Sequence, residues 1–305
     1  MIGFNAGLIG KSRTSSVGNA SAPGVWTLEE QLKARRDSAW PPNPGEVVAT
    51  GGSVETISVG GISYKVHTFT VNGTFTVTAG GTMDYLVVAG GGGGGGGWQG
   101  GGGGAGGYLA GQTTITTGTY TITVGAGGQG GTGSSGAIPT NGGNSVFSSF
   151  TAIGGGYGSQ ESSPGAIAQS GGSGGGGCHG VNNNAGATGT SGQGFAGGAG
   201  KSATQSDNNY YGAGGGGSSS AGADAATGTA RAPGGSGTAN AINGTSTTYA
   251  AGGHGSRRFQ TSGSPGDSGA ANTGNGGGGG ATGTAPNAIG GNGGSGIVII
   301  RYPGA

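Results

Sequence analysis

Apolar and polar residues alternate through much of residues 46–89, the pattern of β-strands that turn one side to a core. The apolar positions flank an Asn72–Gly73 pair: Ile62, Tyr64 and Val66, then Phe69 and Val71 after a change of face, and Phe75 and Val77 beyond the pair. An Asn-Gly pair between two such runs is typical of a two-residue turn. The pattern therefore predicts a β-hairpin with one bulge.

Two other runs are apolar at every position, as in strands that are covered on both faces. They are residues 85–89 (Tyr-Leu-Val-Val-Ala) and 297–300 (Ile-Val-Ile-Ile). Further strands are predicted at 107–116, 120–124, 146–147 and 150–153. The run at 297–300 needs an apolar partner far upstream, so one sheet system must hold both ends of the intervening chain. The entropic cost of closing so long a loop grows only slowly with its length.

Glycine dominates this intervening chain and accounts for 88 of the 305 residues. Contiguous glycine runs at 90–97, 100–104, 174–177, 214–217 and 276–280 are separated by inserts of varied length. Glycine has no side chain to bury, so order requires close main-chain packing and a partner for nearly every amide. Polyproline II geometry meets this requirement, because its amides and carbonyls point outward and neighbouring helices can bond laterally.

Two other states share a glycine-rich composition. Collagen is excluded, because it requires glycine at every third residue and abundant proline, whereas this chain has contiguous glycine runs and 10 prolines. A flexible glycine/serine linker stays open as an alternative. Aromatic residues that recur between the runs favour order. The sequence thus predicts a mainly β fold over residues 45–305, in which a jelly-roll-like β-sandwich clasps a stack of polyglycine II helices.

Residues 1–44 are predicted to form a separate head with a short helix. Thr27 and Glu30 have the spacing of a capping box, and Leu28 and Leu32 fall on one helical face. A helix this short is marginal alone in water, which leaves two interpretations. The helix packs on its own domain, or it attaches to another protein. The attachment residues under the second interpretation are Trp26, Leu28, Leu32 and Trp40.

Charge and cysteine content exclude several classes of protein. Only 7% of the residues are charged, the formal net charge is +1, and no basic stripe suits a phosphate backbone, so no nucleic-acid partner is expected. A single cysteine, Cys178, cannot form an intrachain disulfide. No apolar stretch is long enough for a membrane span or an export signal. An extracellular role would then require another route, such as assembly into a virus particle and release by lysis.

Catalytic patterns are also missing, and the chain is predicted not to be an enzyme. Lys201–Ser202 follows a glycine but lacks the preceding strand and glycine spacing of a phosphate-binding loop. Cys178 and His179 are adjacent, so their side chains rarely face one another. No three-ligand metal cluster is visible, and no cofactor is expected. A depolymerase built on scattered carboxylates is a minor alternative.

Motifs at both ends of the glycine-rich region resemble those of a known family. The sequences are Tyr-Lys-Val-His-Thr-Phe-Thr at 64–70, Gly-Thr-Phe-Thr-Val at 73–77, Asp-Tyr-Leu-Val-Val-Ala-Gly-Gly-Gly at 84–92 and Gly-Ile-Val-Ile-Ile-Arg-Tyr at 296–302. They are similar to the glycine-rich domain of bacteriophage tail-fibre and virion proteins. The glycine runs resemble the polyglycine II lattice of adhesins at the tips of T-even-type tail fibres. Residues 23–31 resemble N-terminal segments of marine phage structural proteins.

The resemblance implies a virion protein of the tail or fibre, extracellular after release, whose loops between glycine rods bind the host. Partners would be other virion proteins at the head and a host glycan or outer-membrane protein at the loops; a homotrimer is the expected assembly. Aromatic, amide and guanidinium groups suit such recognition. The receptor-binding candidates are Tyr157, Gln160, His179, Asn183, Asn208, Tyr210, Tyr211, Arg257, Arg258 and Phe259. An architectural component without receptor binding, and a cell-surface protein outside any virus, are the alternatives.

Overall fold

The computed structural model describes residues 47–97, 99–133, 136–160, 166–179, 185–201, 211–226, 231–256, 264–281 and 288–304. All regular secondary structure within these ranges is β-strand, which confirms a mainly β fold. The strands are β1 (Val48–Thr50), β2 (Ser53–Val59), β3 (Ile62–Phe69), β4 (Gly73–Ala79), β5 (Gly81–Val88), β6 (Tyr108–Ile115), β7 (Gly118–Thr123), β8 (Ser145–Phe147), β9 (Phe150–Ala152), β10 (Thr238–Asn240), β11 (Thr247–Tyr249) and β12 (Ile297–Pro303). The predicted head helix lies outside the described residues.

The strands form two five-stranded antiparallel sheets and one small hairpin. The first sheet has the order β2-β3-β12-β5-β6, the second has the order β1-β4-β7-β8-β9, and β10 pairs with β11. The prediction for the end of the chain is confirmed: β12 lies between β3 and β5, with Ile299 opposite both Thr68 and Leu86. Because β12 bonds on both sides, the C-terminal strand joins β2 and β3 to the rest of their sheet.

The predicted hairpin at Asn72–Gly73 is wrong. β3 and β4 do follow one another at this turn, but they pair with different strands and belong to different sheets. Phe69 and Phe75 are both buried in one apolar cluster, with their ring centroids 6.4 Å apart. Because both rings are buried in the same cluster, the chain between β3 and β4 crosses from one sheet to the other and does not form a hairpin.

One apolar cluster draws its residues from both five-stranded sheets. Its fully buried members include Phe75 and Ile122 of the second sheet and Val87 and Ile300 of the first. A second cluster covers the other side of the first sheet, where Leu86 and Ile299 pack with Tyr249 of the small hairpin. The all-apolar runs predicted for 85–89 and 297–300 thus have apolar neighbours on both faces, as expected.

Among the described His, Lys, Arg, Asp and Glu residues, His67 is the one that is buried. Its Nδ1 lies 2.7 Å from the carbonyl oxygen of Gly51, and its Nε2 lies 2.8 Å from the hydroxyl of Tyr302. Because a carbonyl oxygen only accepts, Nδ1 carries the proton and Nε2 accepts from Tyr302. The ring thereby joins the β1–β2 connection to the C-terminal strand. Burial lowers the pKa of His67 below its ordinary value of 6.5, against the raising effect of the Gly51 bond, and Lys65 lowers it further.

We expect the protein to lose stability as the pH falls below about 6.5. Because the folded-state pKa of His67 is lowered, the unfolded chain binds a proton that the folded chain does not, so this contribution is complete above that pH and lost below it. Denaturant unfolding at several pH values between 7 and 5 measures the effect. His67→Gln keeps a donor and an acceptor but does not titrate, and should flatten the profile. Parallel profiles for wild type and His67→Gln would contradict the assignment.

The glycine-rich segments that continue directly from strands of the two five-stranded sheets all leave from one end of these sheets. In the first sheet, Val88 and Tyr108 are partners at this end, beside Ile297. In the second sheet, the strand ends Thr123 and Ala152 lie here, the latter opposite Ser145. The opposite end, the sheet pole, contains Val48, Val59, Gly80, Ile115 and Pro303. The first and last described residues, Val47 and Gly304, therefore both lie near the sheet pole.

Candidate functional site

Segment 90–95 lies at the centre of the glycine-rich region and hydrogen-bonds with a period of three. Gly90 and Gly93 donate to Gly143 and Thr140, both at 3.0 Å. The other amides repeat the pattern: Gly91 and Gly94 donate to Gly294 and Gly291, and Gly92 and Gly95 donate to Gly104 and Gly101, all at 2.9 Å. The carbonyl oxygens show the same period of three and accept from three further segments. Those of Gly90 and Gly93 accept from Gly155 and Gly158, those of Gly91 and Gly94 from Gly128 and Gly131, and those of Gly92 and Gly95 from Gly277 and Gly280. Every amide and carbonyl from Gly90 to Gly95 is thus paired.

The six neighbours of segment 90–95 also bond to one another, and they close a ring around it. The bonds that complete the ring run from Gly101 to Ser159, Gly142 to Gly155, Gly143 to Ala126, Gly293 to Gly128, Gly291 to Gly278 and Gly103 to Gly277. Six partners for one segment are the arrangement of hexagonal packing. Each residue of segment 90–95 has one bond as donor and one as acceptor, which offsets a backbone entropy cost of about 1–2 kcal/mol per residue.

Two more segments are enclosed in the same way. Segment 100–106 bonds to residues of 89–95, 153–159, 173–176, 213–216, 253–256 and 274–280. Segment 213–217 has partners in 102–105, 174–177, 195–198, 220–223, 235 and 253. All the residues of these segments are buried, and the only side chains in them are the methyl groups of Ala105 and Ala213. The enclosed segments are therefore those with least room for a side chain.

The need for glycine in these segments is steric. A Cβ on Gly94 would overlap the carbonyl oxygen of Gly278, and a Cβ on Gly93 would overlap that of Gln129. A Cβ on Gly103 would overlap the carbonyl oxygen of Gly92 in the same way. None of the three has a positive φ, so close approach of neighbouring main chains, not a left-handed conformation, requires glycine here.

Side-chain oxygens replace main-chain carbonyls where a segment lacks a neighbour. Asn292 Oδ1 accepts from the amide of Gly130, and Asn144 Oδ1 accepts from that of Gly154, both at 2.8 Å. Gln160 Oε1 accepts from the amide of Gly96 at 3.3 Å. The amides of Gly90 and Gly93, three and six residues earlier, donate to main-chain carbonyls of Gly143 and Thr140, so Gln160 supplies the next acceptor in this series. These amide residues terminate the hydrogen-bond network, a role that was not predicted from the sequence, where Gln160 was a receptor-binding candidate.

A signal for outer segments is nevertheless present in the sequence. Ala126, Gln129 and Thr132 are spaced by three and are all exposed, while the glycines beside them are mostly buried. Ile289, Asn292 and Ser295 repeat this spacing. A side chain at every third residue inside a glycine run therefore marks a segment with one free side, and an uninterrupted run marks an enclosed one.

All the internal stretches outside the described residues begin and end at the same end of the glycine-rich segments, away from the sheets. We call this end the glycine pole. The residue pairs that flank these stretches are Gly97 and Gln99, Gly133 and Gly136, Gln160 and Ala166, His179 and Ala185, Lys201 and Tyr211, Ala226 and Arg231, Ser256 and Ser264, and Ala281 and Ala288. Bonds between flanks connect them, as from Gly97 and Gly133 to Ala288 and from Ser264 to Ala281.

Four of the sequence-predicted receptor-binding candidates belong to the described residues, and two of them are buried. Gln160 is fully buried, and Tyr211 is 3% exposed. Both occupy the first or last position of an ordered segment, where packing, not solvent, surrounds them. They are therefore part of the framework and do not line an exposed loop.

Tyr157 and His179 are half-buried. The main-chain amide of Tyr157 donates to Asn141 Oδ1 at 3.0 Å, and burial raises the pKa of its phenol against the opposing effect of a Gln169 hydrogen bond. His179 lies at the glycine pole, and its carbonyl oxygen accepts from Cys178 Sγ at 3.3 Å. The remaining candidates lie outside the described residues. They are Asn183, Asn208, Tyr210, Arg257, Arg258 and Phe259 for the receptor and Trp26, Leu28, Leu32 and Trp40 for attachment.

Few charged side chains lie around the glycine-rich segments. Arg231 pairs with Asp267 across the surface, and this exposed pair contributes little to stability. Within the described ranges, no three His, Cys, Asp or Glu side chains are grouped closely enough to hold a metal ion. The same ranges contain no helix that could cross a membrane.

The architecture defines a class of protein: antiparallel sheets that hold a hydrogen-bonded bundle of glycine-rich segments. A family model described as a glycine-rich domain matches residues 68–303, and the chain belongs to this family. The match runs from the end of β3 to the end of β12, so it includes the glycine-rich bundle and most of both sheets. A search of curated proteins finds no significant match.

Proposed function

We propose that this protein is a structural component of a bacteriophage virion, in the tail fibre or at its tip, and that it binds the host surface through the loops at its glycine pole. One observation carries the proposal. The described fold begins near the sheet pole, whereas all the internal stretches outside the described residues begin and end at the glycine pole. A protein that is attached at one end and binds at the other needs this polarity.

We further infer that the two five-stranded sheets form a β-sandwich and that the glycine-rich segments form polyglycine II helices. The shared core of the sheets supports the first inference. The period of three and the closed ring of six partners support the second, because polyproline II geometry has three residues per turn and outward-pointing amides. A bundle with this many lateral bonds would hold the glycine-pole loops on a rigid base.

The proposed receptor-binding surface is narrower than the sequence alone suggested. It comprises the loop candidates Asn183, Asn208, Tyr210, Arg257, Arg258 and Phe259, together with the half-buried Tyr157 and His179. Buried Gln160 and Tyr211 would support this surface without contacting the host. Amides and aromatic rings suit a surface glycan or an outer-membrane protein, and guanidinium groups suit its anionic groups.

Attachment to the particle would use the head, through Trp26, Leu28, Leu32 and Trp40. The protein would then be part of the virion and extracellular after release, without catalysis. The second candidate function is architectural: a fibre, capsid-decoration or tail component whose bundle supplies rigidity alone. The closed hydrogen-bond network favours this role as much as the first. Location on the particle separates the two, because an adhesin occupies the distal tip.

Loop replacement tests the binding function. In one variant residues 202–210 and 257–263 are exchanged for glycine/serine sequences of equal length, and adsorption of particles that carry the variant is counted. We expect adsorption to fall at least tenfold, the effect of about 1.4 kcal/mol of lost binding, with an unchanged unfolding midpoint. The control replaces Thr245 by serine in the exposed β10–β11 tip, where Gly244 lies beside Ile57 of β2, and should adsorb normally. Normal adsorption of the loop variant would leave only the architectural role.

A further inference from the structure

Among the described strands, β2 forms one edge of the first sheet, and its outer side is suited to pairing with a further strand. β2 bonds to β3 over its full seven residues, from Ser53 opposite Thr68 to Val59 opposite Ile62, with no register shift. Nearly all its residues are exposed. Long, regular edges are a hazard that proteins normally cover or break with bulges, prolines or charges, and Glu55 is the only charge in this one.

Exposed apolar side chains concentrate around this edge. Val48, Val54, Val59, Ile62 and Val71 are between 40% and 72% exposed, and all belong to β1, β2, the start of β3 or the turn that follows it. The other edges described differ: β1 has three residues and a bulge, β9 has three residues, and β6 carries none of the large exposed apolar side chains. Within the described part of the chain, the β2 edge thus has no strand partner on its outer side, and it is apolar.

The N-terminal sequence, which lies outside the described residues, contains a segment with the length of β2 and with apolar residues at alternate positions. In residues 2–8, Ile2, Phe4, Ala6 and Leu8 alternate with Gly3, Asn5 and Gly7, the period of a strand with one apolar face. This run has the same length as β2. The chain enters at Val47, beside β1, which continues into β2 through Gly51 and Gly52. Residues 9–46 can span more than about 100 Å when extended, so the tether is long enough to reach the edge.

We propose that residues 2–8 of the same chain add to β2 as a sixth strand of the first sheet. Main-chain hydrogen bonds would supply the pairing, as in other cases of strand addition, and one apolar row of the added strand would cover Val54 or Val59. The segment that holds Trp26 and Trp40 would then form a loop between two fixed points. This arrangement is independent of host binding and does not rest on the proposed function.

Hydrogen exchange of the full chain tests the proposal, with mass spectrometry of peptides from 53–59. Phe4→Asp with Leu8→Asp places two charges in the apolar row, and we expect the β2 amides to exchange at least about tenfold faster than in wild type. The matched control, Asn5→Asp, adds a charge to the opposite row and should keep wild-type exchange. Peptides from 90–106 are the internal reference and should stay unchanged in both variants, which shows that the fold is intact.

Two outcomes would overturn the proposal. Equal β2 exchange in wild type and in the Phe4→Asp, Leu8→Asp variant would mean that residues 2–8 do not cover the edge. Protection that increases with protein concentration would mean that a second copy of the chain covers it.

Discussion

Replacing Gly94 by alanine is expected to lower the free energy of unfolding by about 3 kcal/mol, the upper part of the range for overpacked sites. Gly94 lies in the enclosed segment, and its Cβ would overlap the carbonyl oxygen of Gly278. That oxygen accepts from the amide of Gly291, so it cannot move without loss of a hydrogen bond. Gly103→Ala, which would overlap the carbonyl oxygen of Gly92, should behave in the same way.

Gly142 and Gly143 provide a matched control within one outer segment. A Cβ on Gly142 would overlap the carbonyl oxygen of Gly90, whereas the nearest atom to a Cβ on Gly143 is the amide nitrogen of Ala126 at 3.1 Å. Gly143→Ala should therefore cost less than about 1 kcal/mol, because reduced freedom of the unfolded chain offsets the small shift required. Gly142→Ala should resemble Gly94→Ala. Denaturant midpoints at constant slope measure all four variants. Equal midpoints for the Gly142 and Gly143 variants would contradict the steric argument.

Strand positions could be predicted from the sequence because side-chain burial determines them. Residues 85–89 and 297–300 are apolar at every position, and both lie in the interior of the first sheet with neighbours on each face. The long-range pairing of the last strand also followed from the sequence, because no other apolar run near the end of the chain could partner it. The sheet to which each strand belongs could not be predicted. The alternation of apolar and polar residues at 62–77 is the same whether β3 and β4 pair with each other or belong to different sheets.

The glycine-rich region was predictable as an ordered network but not in its details. Composition sets the requirement that main-chain groups bond to one another, and the network of segment 90–95 meets that requirement. Which segments are neighbours depends on main-chain bonds that carry no side-chain signature. Burial of Gln160 and Tyr211 was missed for this reason: both residues were assigned to exposed inserts, although the ordered segments 153–160 and 211–217 include them.

The spacing of non-glycine residues indicates how many neighbours a glycine-rich segment has. Segment 90–97 is uninterrupted and enclosed, whereas Ala126 and Gln129 interrupt their segment every third residue and are exposed. The amide residues at segment ends follow the same logic, because each supplies an acceptor where no neighbouring main chain does. Glycine spacing in such a chain therefore encodes the number of neighbours of each segment, much as apolar spacing encodes the buried face of a helix or strand.

Removing the C-terminal strand, residues 297–305, is expected to abolish cooperative unfolding of the whole chain. β12 bonds to β3 and β5 at once, and its residues Val298, Ile299 and Ile300 are fully buried in the two apolar clusters. Without it, β2 and β3 lose their connection to the first sheet, and segment 288–296 is no longer held at its sheet end. Ile300→Ala, a milder change, should cost about 2–5 kcal/mol. Truncation after Pro303 is the control, because within the described residues it removes one backbone bond, from Gly304 to Ser63. A sharp denaturant transition near the wild-type midpoint in the chain that ends at residue 296 would show that the glycine-rich bundle is stable without this strand.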